Sequence, residues 1–244
     1  MLFTDGTILS IQELREHDNF VLDVASTESI ELNSKLAVAQ REIGYEIQSF
    51  LKTRCVGSDL DAVFVNQQLR DLLVTHTLSI VYRDAYNLHL NDRYLGRWKE
   101  FTRASDRGLL RLFLNGVGIA AVAVAQAPQP SVAVSPDGGL AAGIYGIQSA
   151  WQHLTGTIGE RSVSVLAECS GGSISVNPGP APLNVSGWHV FIADLDAVPA
   201  RQNPSPLALG SIWTQGAALR VDLPGPVVSG PDYYVRSSGQ ISRG

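Results

Sequence analysis

The residues with the chemistry to do catalysis or hold a metal are few and scattered. The five histidines, His17, His76, His89, His153 and His189, fall in none of the HxxxH, HxH or HExxH spacings that put two imidazoles on one ion. Cys55 and Cys169 are far apart and neither has a CxxC partner. That argues against a disulfide framework or a zinc site, and for two ordinary buried thiols in a chain made in a reducing compartment. Gly116-Val117-Gly118 follows a helical pattern instead of a strand and lacks the third glycine of a dinucleotide fingerprint, and no phosphate-cradling GxxxxGK[ST] occurs. Asp59 and Asp61 lack the remaining ligands of a calcium loop. Asn184-Val185-Ser186 is a glycosylation sequon, which matters only for a secreted chain. The expectation is no catalytic, metal or cofactor-binding residue and no cofactor. An enzyme reading rests on His153 and His189 meeting carboxylate partners.

One charged pattern stands out. At 100° per residue, Arg93, Arg97, Arg107 and Arg111 fall on one side of a helix from Asp92 to about Phe113, and Tyr94, Trp98, Phe101, Leu109 and Leu112 on the other. The apolar side reads as core. The arginine side is either a solvated face, partly neutralised by Glu100 and Asp106, or a contact surface. As a contact it would meet acidic groups of a neighbouring subunit, such as Glu42 and Glu46, or passing DNA phosphates.

The elements that carry these residues divide at a compositional seam. All 12 prolines lie between Pro128 and Pro231, and only 5 of 23 glycines precede Asn115. The first 115 residues hold 13 Lys+Arg and 16 Asp+Glu, against 5 and 7 in the remaining 129. Proline breaks helix interiors, so the chain reads as helices followed by strands and turns, an α+β fold in two domains. The expected division is 1–126 helical, 127–223 an antiparallel β-sandwich and 224–244 an extended C-terminal arm. A net charge of −5 is too mild to indicate a nucleic-acid or membrane-surface binder. The opening MLFTDGTILS has neither a basic leader nor an apolar core, and the apolar run from Gly116 to Ala125 is about half a membrane helix long, so a cytosolic product without a membrane anchor is expected.

About four helices are predicted. Ser10 and Glu13 form a capping box for Ile11 to about His17. Leu32, Leu36, Ala39, Ile43, Ile47 and Phe50 give a second helix one apolar face. Leu69, Leu72, Leu73, Ile80 and Val81 do so for a third, about Asn66 to Leu88, whose His76 reads as a hydrogen-bonded core histidine. The arginine-striped helix is the fourth. The order LAVAQREIGYEIQSFLKTR (36–54), then LRDLLVTHTLSIVYRDAYNLHLNDRYLGRWKEFTRASDRGLLRLFLNGVGI (69–119), resembles the head–tail connector (adaptor or head-completion) proteins of tailed bacteriophages. It departs from them in having VFVNQQ where prolines often precede the third helix. The resemblance implies a virion protein at the head–tail junction, made in the host cytoplasm: a homo-oligomeric ring, twelve copies to match the portal. Its partners would be the portal and a neck or tail-terminator protein, with DNA passing through the lumen without sequence-specific binding and no membrane contact.

From Ser131 the chain shows short apolar runs about ten residues apart. Strands are expected at 131–134, 142–153, 162–168, 173–176, 188–193 and 207–213. The stretch GIYGIQSAWQHLTGTIGERSVSV, APLNVSGWHVFIAD and QNPSPLALGSIWTQ resembles the fibronectin-type-III-like or immunoglobulin-like modules appended to phage structural proteins. Trp151 and Trp188 sit in strand alternation and read as core. Exposed aromatics would instead suit the alternative, a tail or baseplate protein whose sandwich binds a receptor or carbohydrate. The segment from Val221 has no periodicity, and Tyr233 and Tyr234 are the expected anchors of an arm laid across a neighbour.

Overall fold

Helix-start chemistry places the first elements. Ser10 Oγ accepts from the Glu13 amide at 3.3 Å and the Ser10 amide donates to Glu13 Oε2 at 2.7 Å, closing the expected capping box on α1, Ile11–His17. A second short helix, α2 (Val21–Thr27), makes five α-helices among the described residues where about four were expected. Its seven residues carry no side-chain cap and too short a period to stand out in sequence. Glu31 caps α3 (Leu32–Thr53) by accepting from the Asn33 and Ser34 amides, and Asn66 caps α4 (Gln67–His89) through the Leu69 amide at 2.9 Å. The arginine-striped helix is α5, Asp92–Asn115.

This computed structural model describes residues 1–54, 56–90, 92–195, 197–215, 217–220, 223 and 230–242. Cys55 lies outside them, as does much of the expected arm; Cys169 is buried as expected. The fold is α+β, five helices followed by a curled antiparallel sheet. No helix among the described residues is long and apolar enough to cross a membrane. The chain divides into two compact units, one of Leu2–Ala121 with Gly230–Gly244, the other essentially Val122–Ser229.

In the helical unit α4 is central, packing against α1, α2, α3 and α5. Its predicted core residues Leu69, Leu72, Leu73, Ile80 and Val81 are all buried, joined by Val74, Leu78 and Ala85 around the rest of its circumference. α3 buries Leu32, Leu36, Ala39, Ile43, Ile47 and Leu51, while Phe50 stacks on Phe113 of α5 with ring centroids 4.2 Å apart.

The C-terminal segment departs from the expected arm. Tyr233–Arg236 (β7) and Gly239–Ser242 (β8) form a hairpin, and β7 pairs with β1 (Val117–Ile119) in the order β1-β7-β8. Val117 lies opposite Val235, and both are buried. The hairpin also satisfies the end of α5. The Ser237 amide and Oγ donate to the Phe113 carbonyl at 2.8 and 3.0 Å, and Arg236 Nε donates to the Asn115 carbonyl at 2.7 Å, placing a cation where the helix dipole is negative. The Gly116-Val117-Gly118 run thereby acquires a structural reason: a Cβ on Gly116, whose φ is +114°, would stand 2.9 Å from Tyr234 Cβ, and one on Gly118 would stand 2.9 Å from Pro231. Tyr233 and Tyr234 are half-buried strand residues, and the Tyr233 hydroxyl is 3.0 Å from Ser58 Oγ.

In the second unit five strands hydrogen-bond into one sheet of order β5-β4-β2-β3-β6. They are β2 (Ser131–His153), β3 (Val165–Asn177), β4 (Val185–Asp194), β5 (Ala200–Arg201) and β6 (Trp213–Gln215). Two pairs of expected strands are therefore single long strands. The turn-like sequences Ser135-Pro136-Asp137-Gly138-Gly139 and Gly171-Gly172 face each other as a bulge where the register shifts between Ser135 and Leu140. Gly172 has φ +145°, and a Cβ there would overlap the Ser135 carbonyl. The core gathers Tyr145, Ile147, Trp151, Trp188, Val190 and Ile192, with Trp151 directly opposite Trp188 and both fully buried.

The hairpin yields a direct test. Val235→Ala should cost the helical unit about 2 kcal/mol of stability. Deletion from Gly230 should lower its thermal midpoint further, by exposing Val117 and uncapping α5. An unchanged midpoint by calorimetry in the deleted chain would contradict an integral hairpin.

Candidate docking groove and arginine face

Two carboxylate–tyrosine bonds set the geometry on the α2 side of the helical unit. At the turn between α1 and α2, the Asp18 carboxylate accepts the Phe20 amide at 3.0 Å and the Tyr82 hydroxyl of α4 at 2.6 Å. Beyond α2, Glu28 accepts the Tyr94 hydroxyl of α5 at 2.8 Å. Burial, and the Asp18 carboxylate that accepts its hydrogen bond, hold the Tyr82 phenol well above its ordinary range; the bond to Glu28, then burial, raises Tyr94. Both phenols therefore remain neutral donors, and α2 is pinned at both ends.

Pinned there, α2 leaves a groove of 390 Å³ against α4 and α5. Val24, Tyr82 and Tyr94, all buried, form its floor. Phe20 stands at the lip, 61% exposed. Asp23 lies on the α2 side, and Arg93 and Arg97 on the α5 side. The guanidinium of Arg93 is 5.6 Å from the Tyr94 ring centroid and that of Arg97 is 6.0 Å from Phe101, so aromatic faces orient both cations. An apolar floor with charged rims of opposite sign suits a side chain or short segment of a protein partner.

The remaining sequence-predicted interface residues separate. Arg107 and Arg111 are exposed on α5, beyond the groove; Arg107 Nε donates to the Arg103 carbonyl, and neither has a carboxylate partner among the described residues. Glu100 approaches Arg97 at 3.4 Å, whereas Asp106 makes no ion pair among the described residues. Glu46 is exposed on α3 without an ion-pair partner among the described residues. Glu42 is already engaged within the chain: its Oε2 lies 2.8 Å from His76 Nε2, and His76 Nδ1 lies 3.0 Å from Ser105 Oγ.

That Glu42–His76–Ser105 chain has the order of a nucleophile–base–acid triad but none of its surroundings. Ser105 is buried in the middle of α5, where the neighbouring amides are spent on the helix ladder and offer no oxyanion hole. It joins α3, α4 and α5, the hydrogen-bonded core role expected of His76. Sequence reasoning missed the groove itself. Its only sequence signals were Arg93 and Arg97, because α2 had not been recognised.

In the β unit, His153 and His189 have no carboxylate among their hydrogen-bond partners in the described residues. His153 Nδ1 contacts Thr155 Oγ1 at 2.9 Å. His189 is buried, its Nδ1 accepting from Asn203 Nδ2 at 2.9 Å, so that Nε2–H donates to Gln152 Oε1 at 2.6 Å. Burial foremost, and the nearby Arg201 charge, push its pKa down to about 4. Among the described residues no cluster of three His, Cys, Asp or Glu is placed to hold a metal ion. Comparisons with protein-family models, curated proteins and solved structures find no match.

Two outcomes are expected. Tyr82→Phe removes the donor from Asp18 Oδ2, leaving the buried carboxylate only the Phe20 amide, and should cost about 1–3 kcal/mol in urea unfolding, an effect absent if the bond is immaterial. His189 is protonated more readily unfolded than folded. Its contribution is therefore complete above about pH 6.5 and lost as pH falls toward the folded value of about 4. The β unit's thermal midpoint should drop over that window, and His189→Gln should flatten the drop.

Proposed function

We propose that this chain is a structural protein of a tailed-phage virion, a head–tail adaptor whose helical domain assembles into a ring between portal and neck or tail. The sequence resemblance in α3 to β1 suggests the role, and the outward face of α5 is the observation that carries it. Arg93, Arg97, Arg107 and Arg111 are all exposed along that face. Leu110 and Leu114 beside the stripe are 60% and 55% exposed. A merely solvated helix face has no reason to set large apolar groups beside Arg107 and Arg111, which have no carboxylate partner among the described residues. Apolar area next to arginine is the composition of a protein contact.

In this reading the ring is homo-oligomeric, with twelve copies to match the portal, and each subunit offers different faces to its two neighbours. DNA passes through the central hole, held off sequence-specific contact. The Val122–Ser229 unit serves as an accessory domain, a single curled sheet in place of the two sheets expected of a sandwich. Its aromatics are poorly placed for the carbohydrate-binding alternative: Tyr145, Trp151, Trp188 and Phe191 are buried and Trp213 is half-buried, leaving no stacking platform among the described residues.

Native mass spectrometry and electron microscopy of the purified chain, alone and mixed with portal, test the proposal. A ring, alone or nucleated by portal, is expected, and a persistent monomer indifferent to portal overturns it. Arg107→Glu with Arg111→Glu should leave stability within about 0.5 kcal/mol, as surface changes do, while abolishing the assembled mass.

A further inference from the structure

The chain has two large exposed aromatic rings among its described residues, and they stand in opposite settings. Phe20 lines the lip of the groove, while Tyr45 projects from α3, 62% exposed. At 100° per residue, Arg41 lies on one side of Tyr45, and Glu42 and Glu46 on the other. Arg41 and Glu46 are exposed and make no ion pair among the described residues. The groove repeats this polarity with the signs exchanged, Asp23 on the α2 side and Arg93 with Arg97 on the α5 side.

We infer that the groove receives Tyr45 of a second copy of this chain, with Glu46 against the Arg93–Arg97 rim and Arg41 against Asp23. The aromatic ring covers the floor of Val24, Tyr82 and Tyr94 and packs beside Phe20. The two charge pairs fix its direction, since the reversed orientation would set arginine against arginine and carboxylate against carboxylate. Knob and groove are built from different elements, α3 against α2, α4 and α5, so every copy offers both. The contact is head-to-tail, the type that closes into rings. This deepens the adaptor reading and rests on its ring.

The test uses the full chain and two charge-reversed variants, Glu46→Arg and the pair Arg93→Glu with Arg97→Glu, all at exposed positions, with circular dichroism to confirm folding. Each variant alone sets like charges together at every contact and should assemble at least ~10-fold more weakly by native mass spectrometry. An equimolar mixture should recover the wild-type mass, because each knob then meets a groove of opposite sign only in the other variant. Tyr45→Ala should also weaken assembly, and mixing should not rescue it. Single variants that assemble like the wild type, or a mixture that stays unassembled, overturn the contact while leaving the adaptor reading standing. Self-assembly unchanged with portal binding lost would make portal the groove's occupant, against the inference. A wild-type chain that never self-associates, with or without portal, sinks both.

Discussion

Helix α4 is the constraint on which the helical unit depends, because its buried side chains lie on several of its sides and it packs against the four other α-helices. Hydrophobic burial alone would let those neighbours slide or exchange faces. The polar groups on α4 remove that freedom: Tyr82 fixes the α1–α2 turn through Asp18, and His76 fixes α3 and α5 through Glu42 and Ser105. The buried Tyr82–Asp18 bond and the buried Ser105 hydroxyl would lose their partners in another arrangement, so they favour one register of packing.

The groove follows from the same constraint. With α2 held at Asp18 and Glu28, the aromatic floor between α2 and α5 is kept open, and Phe20 stays at its edge. The other end of α5 is fixed differently, by a hairpin more than a hundred residues distant in sequence whose side chains and amides supply the donors the last helical turn lacks. The outward face of α5 is thus presented by a helix anchored at both ends, a rigid support for a subunit contact.

Local patterns carried much of this. The capping box at Ser10, the apolar faces of α3 and α4, the two faces of α5 and the buried tryptophans were legible because each depends on residues within a few turns of one another or on strict alternation. Misreadings occurred where one local signal serves two structures. Pro-Asp-Gly-Gly marks a turn or a bulge, and the partner strand decides which; here Gly172 lay opposite, so two predicted strands became one. A tail with three prolines and no periodicity read as an arm, yet β1 provides an edge that its four-residue strand completes.

The sequence by itself determined the order of helices and sheet, the core of each long helix and the arginine stripe of α5, because side-chain period and proline placement act over short distances. Only the tertiary structure decided that Glu42 is spent on His76, that Tyr233 and Tyr234 belong to a strand and that Arg93 and Arg97 border a groove. Each of those outcomes joins residues far apart in the chain, brought together by helix packing and strand pairing, which no local pattern records.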